Sequence, residues 1–152
     1  MTETLITPFR AGDRERWAEL WRGYLDFYET ALPEAIYADA WRRLMAPDGA
    51  IHGFGARLGS ETAPLVGITH YFFHASCWTP KEVCYLQDLF VDAAIRGTGC
   101  GRALIERVAA AARERDCVRL YWTTQEKNAT ARLLYDRLAK FTGFIRYDYA
   151  LG

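Results

Sequence analysis

The sequence predicts a mixed α/β fold in which helices flank a twisted, mostly antiparallel sheet. Strand-like runs at residues 51–58 and 65–74 are joined by a short polar connection, which is typical of an antiparallel hairpin. Further along, predicted strands alternate with helices, as crossover connections do. No repeat or linker interrupts the 152 residues, so we expect a single domain over residues 1–152.

The amino-terminal third predicts one strand and two helices. Residues 4–9 form the strand, and Asp13 is a suitable N-cap for the helix that follows. Pro33 opens the second helix, which reaches about residue 45, because proline is tolerated in a first helical turn. The first helix is identified by aromatic and aliphatic residues at helical spacing: Trp17, Leu20, Trp21, Tyr24 and Tyr28.

The rest of the chain predicts strands and helices in alternation. Runs rich in β-branched and aromatic residues indicate the strands, and an alanine-rich segment indicates the longest helix. The predicted strands are residues 51–58, 65–74, 83–91, 118–123 and 144–149, and the predicted helices are residues 102–115 and 128–140.

Composition excludes several classes of protein. The 19 basic and 19 acidic residues balance, which argues against a nucleic-acid-binding surface. No apolar run is long enough to cross a membrane, and the first residues lack the pattern of a secretory signal, so we expect a cytoplasmic protein. The four cysteines show no C-x-x-C spacing, which predicts reduced thiols and no zinc or other metal site.

A glycine-rich turn between the predicted strand 83–91 and the helix 102–115 is the strongest functional signal. Gly97, Gly99 and Gly101 leave successive backbone N–H groups free to converge at the positive end of the helix, where an anion binds. Arg102 and the residue after it exclude a P-loop, and Arg102 also occupies the third glycine position of a dinucleotide fingerprint. By itself such a loop is also compatible with a plain strand-to-helix turn.

The pattern Arg96-x-x-Gly99-x-Gly101 resembles the pyrophosphate loop of the GCN5-related N-acetyltransferases, which bind acetyl-coenzyme A. The predicted order of elements is similar to that fold from end to end. The run Leu-Gln-Asp-Leu-Phe-Val at 86–91, together with Asn-x-x-Ala-x-x-Leu-Tyr from Asn128 to Tyr135, resembles the diamine and polyamine acetyltransferase branch and the yeast Hpa-type enzymes.

This resemblance implies where acetyl-coenzyme A binds. The backbone of Leu89, Phe90 and Val91 would pair with the pantetheine arm as an added strand does. Asn128 would bond the cofactor near the pantetheine or thioester, and the Tyr135 hydroxyl would face the sulfur and protonate the departing thiolate. The diphosphate would be held by the loop and the residues flanking it: Arg96, Gly97, Thr98, Gly99, Cys100, Gly101 and Arg102.

The acceptor amine must lose a proton before it attacks. An alkylammonium has a pKa near ~10.4, so deprotonation at pH 7 costs about 4–5 kcal/mol. Related polyamine enzymes carry a glutamate where this chain has Gln87, which cannot accept a proton but could position the amine or a water. The proton could leave through water to Asp88, Glu82 or another carboxylate, or the free amine could bind directly. The three histidines lie on predicted strands, and we interpret them as structural or surface residues.

The acceptor pocket is expected between the first two helices and the ends of the strands. Aromatic faces with nearby carboxylates hold a cation well, although the same aromatics could be ordinary core or a dimer surface. The expected binding residues are Tyr24, Tyr28, Trp78, Glu82 and Trp122, with Tyr37, Trp41, Glu34 and Asp39 as further candidates.

Three functions are compatible with these features. The first is transfer of the acetyl group of acetyl-coenzyme A to a small primary amine, such as a polyamine, a diamine or a lysine-like amino acid, by direct attack in a ternary complex. The second is the same transfer to a protein lysine or N-terminus. The third is a non-catalytic coenzyme A-binding sensor or interaction module. The resemblance also implies a homodimer formed through the late strands.

Overall fold

The computed structural model describes residues 2–152, which form two compact units, one ending at Trp122 and the other spanning Thr123–Gly152. The first unit is built on a five-stranded sheet in sequence order. Its strands are β1 (Thr4–Pro8), β2 (His52–Leu58), β3 (Leu65–Ser76), β4 (Thr79–Val91) and β5 (Leu120–Tyr121). The pairings are antiparallel up to β4, and β4 and β5 run parallel. The predicted mixed, mostly antiparallel α/β fold is therefore confirmed.

Helices cover both faces of this sheet. Helix α1 (Arg14–Phe27) and helix α2 (Glu34–Met45) precede β2, and helix α3 (Cys100–Glu114) lies between β4 and β5. Ile68 of β3 belongs to the same buried cluster as the α1 residues, whereas its neighbour Gly67 lies against Leu104 of α3. Because successive strand residues point to opposite faces, α1 and α2 cover one face and α3 covers the other.

Helix α1 packs through the residues that predicted it. Trp17, Leu20, Trp21 and Leu25 are all buried, and Trp17 has no exposed surface at all. They recur every three or four residues, which places them along one stripe of the helix. Fully burying one such side chain contributes about 1.5–3 kcal/mol, so this stripe anchors α1 on the sheet.

Asp13 occupies the predicted N-cap position of α1, but its carboxylate makes no cap bond to the helix. It accepts hydrogen bonds from the backbone of Arg10 at 2.8 Å and from the guanidinium of Arg57 at 2.5 Å. Arg57 is 2% exposed. A buried guanidinium needs an anionic partner, and this need takes the Asp13 carboxylate away from the helix end.

The second unit contains helix α4 (Ala129–Leu138), and Asn128 is its N-cap. The Asn128 side-chain oxygen accepts a hydrogen bond from the Ala131 backbone at 3.4 Å, which satisfies one of the free N–H groups of the first turn. Nowhere in residues 2–152 is there a helix that is long and apolar enough to cross a membrane.

One late strand is shorter than predicted, and another is absent from residues 2–152. Strand β5 is limited to two residues, whereas residues 118–123 were expected. The predicted strand 144–149 is absent, because the segment from residue 139 to 152 contains neither helix nor strand in the described chain. Its apolar side chains are exposed, including Phe144 at 87% and Tyr149 at 89%. β-propensity expresses how well a residue fits a half-buried pleated surface, and it does not by itself produce a strand.

Candidate active site

The glycine loop has the backbone conformation that an anion site needs. Gly97 and Gly99 have φ angles of 84° and 89°, in the left-handed region that side chains disfavour. Gly99 is the N-cap of α3 and, as a glycine, has no side chain that could bond to the first N–H groups of the helix. The first N–H groups of α3 therefore have no intrahelical acceptor and lie at the positive end of the helix dipole, as the binding of a diphosphate requires.

Side chains around the loop leave these amides accessible. The Cys100 thiol is buried and lies 3.7 Å from the Thr4 hydroxyl and 3.3 Å from the Thr98 hydroxyl, so it is occupied by these side chains. The Thr98 hydroxyl donates to the Ile95 carbonyl at 2.6 Å, which ties the loop to the preceding turn. The Arg102 guanidinium is bonded to Glu106 one turn further along α3.

Arg96 lies beside the same loop. Its guanidinium stacks 5.2 Å from the centre of the Phe90 ring, and its Nε donates to the Val91 carbonyl at 3.1 Å. These contacts hold the positive charge between the end of β4 and the glycine turn. The remaining guanidinium N–H groups can reach an anion placed on the loop, because a guanidinium has five donors in a planar fork.

Strand β4 has an open edge next to this loop. β5 pairs with it only at Cys84 and Tyr85, although β4 continues to Val91. Within the first unit, the β5-side backbone groups of residues 86–91 therefore have no strand partner, which is the arrangement that binds an extended ligand as an added strand. This edge includes Leu89, Phe90 and Val91, and it leads directly into the glycine loop.

A β-bulge at Gln87 determines which side chains reach the opposite face. Tyr71 pairs with Leu86 and His70 pairs with Asp88, so Gln87 is the extra residue. A one-residue insertion reverses the alternation of the strand beyond it. The bulge consequently turns Asp88 towards α1 and α2, beside His70, and leaves Gln87 exposed.

Asp88 is a buried acidic group on this face. It is 8% exposed, and its Oδ2 lies 2.8 Å from Nδ1 of His70, whose Nε2 lies 2.9 Å from the indole nitrogen of Trp17. Burial raises the pKa of the Tyr24 phenol, and the nearby Asp88 carboxylate raises it further. Tyr24 therefore remains a neutral hydrogen-bond donor close to the carboxylate, with its hydroxyl 3.4 Å from the Gln87 carbonyl.

A cavity of about 330 Å³ lies between α1, α2 and the centre of the sheet, and Asp88 and His70 form part of its wall. Among the described residues, the indole nitrogen of Trp21 is buried without a hydrogen-bond partner, and the same ring lines the cavity. Arg43 lies at the wall and is bonded to Asp39 at 2.8 Å. Most of the remaining lining is apolar: Leu25, Leu32, Ile36, Ala40, Leu44, Ile51, Tyr71 and Phe72.

The structure brings only some of the predicted acceptor residues together. Tyr24 and Tyr28 stack with their ring centres 4.9 Å apart on α1. Trp78 is 92% exposed at the β3–β4 turn, and it lies ten residues from Asp88, or about 30 Å at ~3.3 Å per residue. Glu82 is closer along the same strand but is bonded to Arg115 at 2.9 Å. Trp122 is half-buried at the end of the first unit.

The second unit carries the two remaining predicted residues. Asn128 uses both polar atoms locally, since its Nδ2 also donates to the Thr124 hydroxyl at 3.3 Å. Tyr135 is half-buried on α4, seven residues and about two turns after Asn128. Their roles at the cofactor stay predictions.

Sequence reasoning missed the residues that surround Asp88. His70 was interpreted as a structural or surface residue, Trp17 and Trp21 were used only to identify the first helix, and Arg43 was not named. The missing information is the bulge, because strict alternation along β4 assigns Asp88 to the α3 face. The sequence did offer one signal, a histidine on β3 and an aspartate near the end of β4, because these two strands form a hairpin.

Comparison with known proteins identifies the class. Residues 15–141 match the model of the acetyltransferase (GNAT) family. The chain is 35% identical over 143 residues to the D-amino-acid N-acetyltransferase HPA3 of Saccharomyces cerevisiae, covering 94% of this chain and 88% of that protein. It is 33% identical over 87 residues to the thialysine N-epsilon-acetyltransferase of Caenorhabditis elegans, covering 57% and 52% of the two chains.

Solved structures share the fold. A ribosomal-protein-alanine N-acetyltransferase from Brucella melitensis superposes with a TM-score of 0.78 at 23% identity, over 98% of this chain and 100% of that one. The aminoglycoside N-acetyltransferase AAC(6')-Iy, solved in complex with coenzyme A, gives 0.81 at 16% identity, over 100% and 97%.

The fold, the glycine loop and these relatives define an acetyl-coenzyme A-dependent N-acetyltransferase. More specifically, the chain belongs to the acetyltransferase (GNAT) family. The loop at the start of α3 and the open edge of β4 fit the acidic and extended parts of that cosubstrate.

Proposed function

We propose that this protein acetylates the primary amine of a small molecule, by direct attack of the amine on acetyl-coenzyme A when both are bound. One observation carries this proposal. The open edge of β4 ends at a left-handed glycine loop, and the same strand presents a buried Asp88 to a cavity of about 330 Å³ on its α1–α2 face. A cosubstrate groove and a pocket of small-molecule size therefore share one strand.

The cosubstrate residues are proposed from this geometry. The amides of Gly97 to Arg102 and the guanidinium of Arg96 would hold the diphosphate, and the backbone of Leu89, Phe90 and Val91 would pair with the pantetheine arm. Acetyl-coenzyme A supplies the activated acetyl group. A backbone N–H near Leu89 or Phe90 would donate to the thioester oxygen as negative charge develops there.

Tyr135 is proposed as the acid that protonates the thiolate, and Asn128 as a contact near the pantetheine or thioester. A phenol with a pKa near ~10 is protonated at neutral pH and can donate to a thiolate whose conjugate acid has a pKa near ~8.5. Gln87 is exposed at the bulge, where it can position the amine or a water but cannot remove a proton.

The acceptor is proposed to be an amino acid in preference to a polyamine or diamine. The names of the yeast and worm relatives both specify amino acids. The cavity wall, as formed by residues 2–152, also carries a single carboxylate, Asp88, and the other charged group there, Arg43, is already bonded to Asp39. One carboxylate complements the ammonium group of an amino acid. A polyamine carries several cations and would need more than one carboxylate.

An amine panel tests the function directly. Release of free thiol from acetyl-coenzyme A would be measured with D- and L-amino acids, lysine, thialysine, putrescine, spermidine and a lysine-containing peptide. Amino acids are expected to give the highest kcat/KM. A preference for the peptide would favour the protein-acetylating alternative, and no turnover with any amine, despite tight coenzyme A binding, would favour the sensor.

Replacing Tyr135 by Phe tests the proposed acid. We expect kcat to fall about 100-fold, in the range of general acid catalysis, while the KM values of both substrates change little. Leu133 on the same helix is 64% exposed, so Leu133→Ala is a control for changes to α4. Wild-type kcat in the Tyr135→Phe variant would remove the proposed role.

Further proposals concern the state of the protein. We propose that residues 1–152 act as one domain, since the family match runs through both units. We also propose a cytoplasmic homodimer. Light scattering would measure the oligomer, and the exposed apolar side chains near the carboxyl end favour an association surface there: Phe144, Ile145, Tyr147, Tyr149 and Leu151.

A further inference from the structure

A hydrogen-bonded chain through the core ends at the acceptor cavity. It consists of the Trp17 indole, the His70 imidazole and the Asp88 carboxylate, and each of these residues is at most 8% exposed. The two heavy-atom distances, 2.9 Å and 2.8 Å, are those of good hydrogen bonds. The chain links α1, β3 and β4 at the point where the Gln87 bulge turns Asp88 towards α1.

The donor and acceptor atoms of the three groups determine which group donates in each of the two hydrogen bonds. An indole nitrogen can only donate, so Nε2 of His70 must accept from Trp17 and carry no proton. A neutral imidazole then carries its proton on Nδ1 and donates it to Asp88. An imidazolium would present a donor to a donor at Nε2, so the contact between His70 and Asp88 is a hydrogen bond from a neutral ring and not an ion pair.

This direction of donation has two consequences. His70 cannot act as a base, because its one free lone pair is occupied by Trp17. Asp88 has no cationic partner within residues 2–152, since the group at ion-pair distance from it is this neutral imidazole. A buried carboxylate held by donors alone is an incomplete charge pair, and a cation that enters the cavity completes it.

The groups that face Asp88 agree with a cationic ligand. Tyr24 on α1 stays neutral near the carboxylate, and His70 on β3 is neutral by the argument above. Arg43 on α2 lines the same cavity, but its guanidinium is already bonded to Asp39. The unpartnered indole nitrogen of Trp21 adds an unused donor at this wall, which an acceptor atom of a ligand would satisfy.

We propose that Trp17 and His70 are positioning residues that hold Asp88 as the anionic binding group for the ammonium end of the acceptor. The identity of the ligand rests on the proposed function. In this arrangement the Asp88 carboxylate takes the place of the glutamate that related polyamine enzymes carry at the position of Gln87. The bulge supplies the geometry, and the Trp17–His70 chain supplies the fixed orientation.

The first test is spectroscopic and needs no acetyl transfer. Long-range ¹H–¹⁵N spectra at pH 7 would report the tautomer of each of the three histidines, with the His70→Asn variant assigning His70. The expected signal for His70 is a neutral ring protonated at Nδ1. A ring protonated at Nε2, or on both nitrogens, would overturn the proposal.

The second test measures the binding of a cation. n-Butylammonium chloride and its neutral counterpart 1-butanol would be titrated, at concentrations up to the order of 50 mM, while the Trp17 indole and His70 resonances are followed. Only the ammonium is expected to shift them, and the isosteric Asp88→Asn variant is expected to abolish the response. An equal response to the alcohol, or none to either probe, would contradict the proposed site.

The third test uses a matched pair of variants at residue 70. Asparagine retains an N–H donor that can reach Asp88, whereas leucine of similar size has none. His70→Leu is expected to raise the KM of the best amine in the panel by about 10- to 100-fold, the value of a hydrogen bond to a charged group. His70→Asn should recover most of this loss, and the KM of acetyl-coenzyme A should be unchanged in both.

Melting temperatures of the two variants control for folding. If both melt like wild type and show the same amine KM as each other, His70 does not position Asp88. If His70→Leu fails to fold, Trp17→Phe removes the donor to His70, and the ammonium titration is then followed through the His70 resonances. An unchanged response in that variant would contradict the positioning role. An inactive wild type that still binds butylammonium through Asp88 would refute the acetyl-transfer assignment and leave this binding site in place.

Discussion

The two halves of the candidate site are built from different parts of the chain. The glycine loop, proposed to bind the diphosphate, consists of backbone N–H groups from consecutive residues, arranged by left-handed glycines at the start of α3. The cavity proposed for the acceptor consists of side chains from α1, α2, β3 and β4, arranged by a bulge and a buried hydrogen-bonded chain. A site built from consecutive backbone groups can be recognised from a short sequence motif. A site built from side chains that are far apart in the sequence depends instead on the register of the strands.

This comparison predicts that the two binding steps can be disabled separately, and Asp88→Asn should give the largest effect. Removal of the charge leaves the cavity shape intact but takes away the partner of the ammonium group. We expect kcat/KM for the amine to fall about 100-fold, as for a charge-assisted hydrogen bond. Steady-state kinetics should show an unchanged KM for acetyl-coenzyme A, and an equal rise in that KM would break the proposed separation.

Gly99→Ala should act on the other half. A side chain at φ 89° costs about 1–2 kcal/mol, so we expect acetyl-coenzyme A affinity to fall about 5- to 30-fold in calorimetry. Gly143→Ala is the matched control, since Gly143 also has a left-handed φ of 82° and open space for a Cβ, but lies in the carboxyl-terminal segment. If both variants weaken the affinity equally, strain alone explains the loss.

Arg96→Gln should have a smaller effect on the same half. The guanidinium stacks on Phe90 at the surface, where charge interactions are screened by solvent and salt. We expect a loss of about 3- to 10-fold in coenzyme A affinity at low salt, and a weaker salt dependence than that of wild type. Arg102→Gln is the comparison, because Arg102 is bonded to Glu106. If Arg102→Gln lowered the coenzyme A affinity more than Arg96→Gln, the diphosphate contact would belong to Arg102 and not to Arg96.

The change with the smallest effect at neutral pH is at Cys84, which is buried in the core. Burial raises the pKa of the Cys84 thiol from 9.0 to about 12, so between these values the folded state holds a proton that the unfolded state has lost. The free energy of unfolding should therefore fall as pH rises above 9, by about 1 kcal/mol per pH unit from this group. Urea titrations should show a shallower fall for Cys84→Ala, and an identical pH dependence would exclude this cause.

The sequence was sufficient for features whose cause is local. The helical spacing of Trp17, Leu20 and Trp21, the glycines of the loop and the hairpin strands were all placed correctly. The bulge at Gln87 has no local signature, and it decides which face Asp88 reaches. The segment 144–149 failed for a related reason, because its β-propensity does not specify a neighbouring strand, and a strand forms only where one pairs with it.

The proposed site depends on the backbone amides at the start of α3, which we propose bind the diphosphate of coenzyme A. Titration of coenzyme A into ¹⁵N-glycine-labelled protein would follow the glycine amides. We expect Gly97, Gly99 and Gly101 to shift together, while Gly12 and Gly49 stay in place. Saturable coenzyme A binding that leaves the three loop amides unmoved would contradict this proposal.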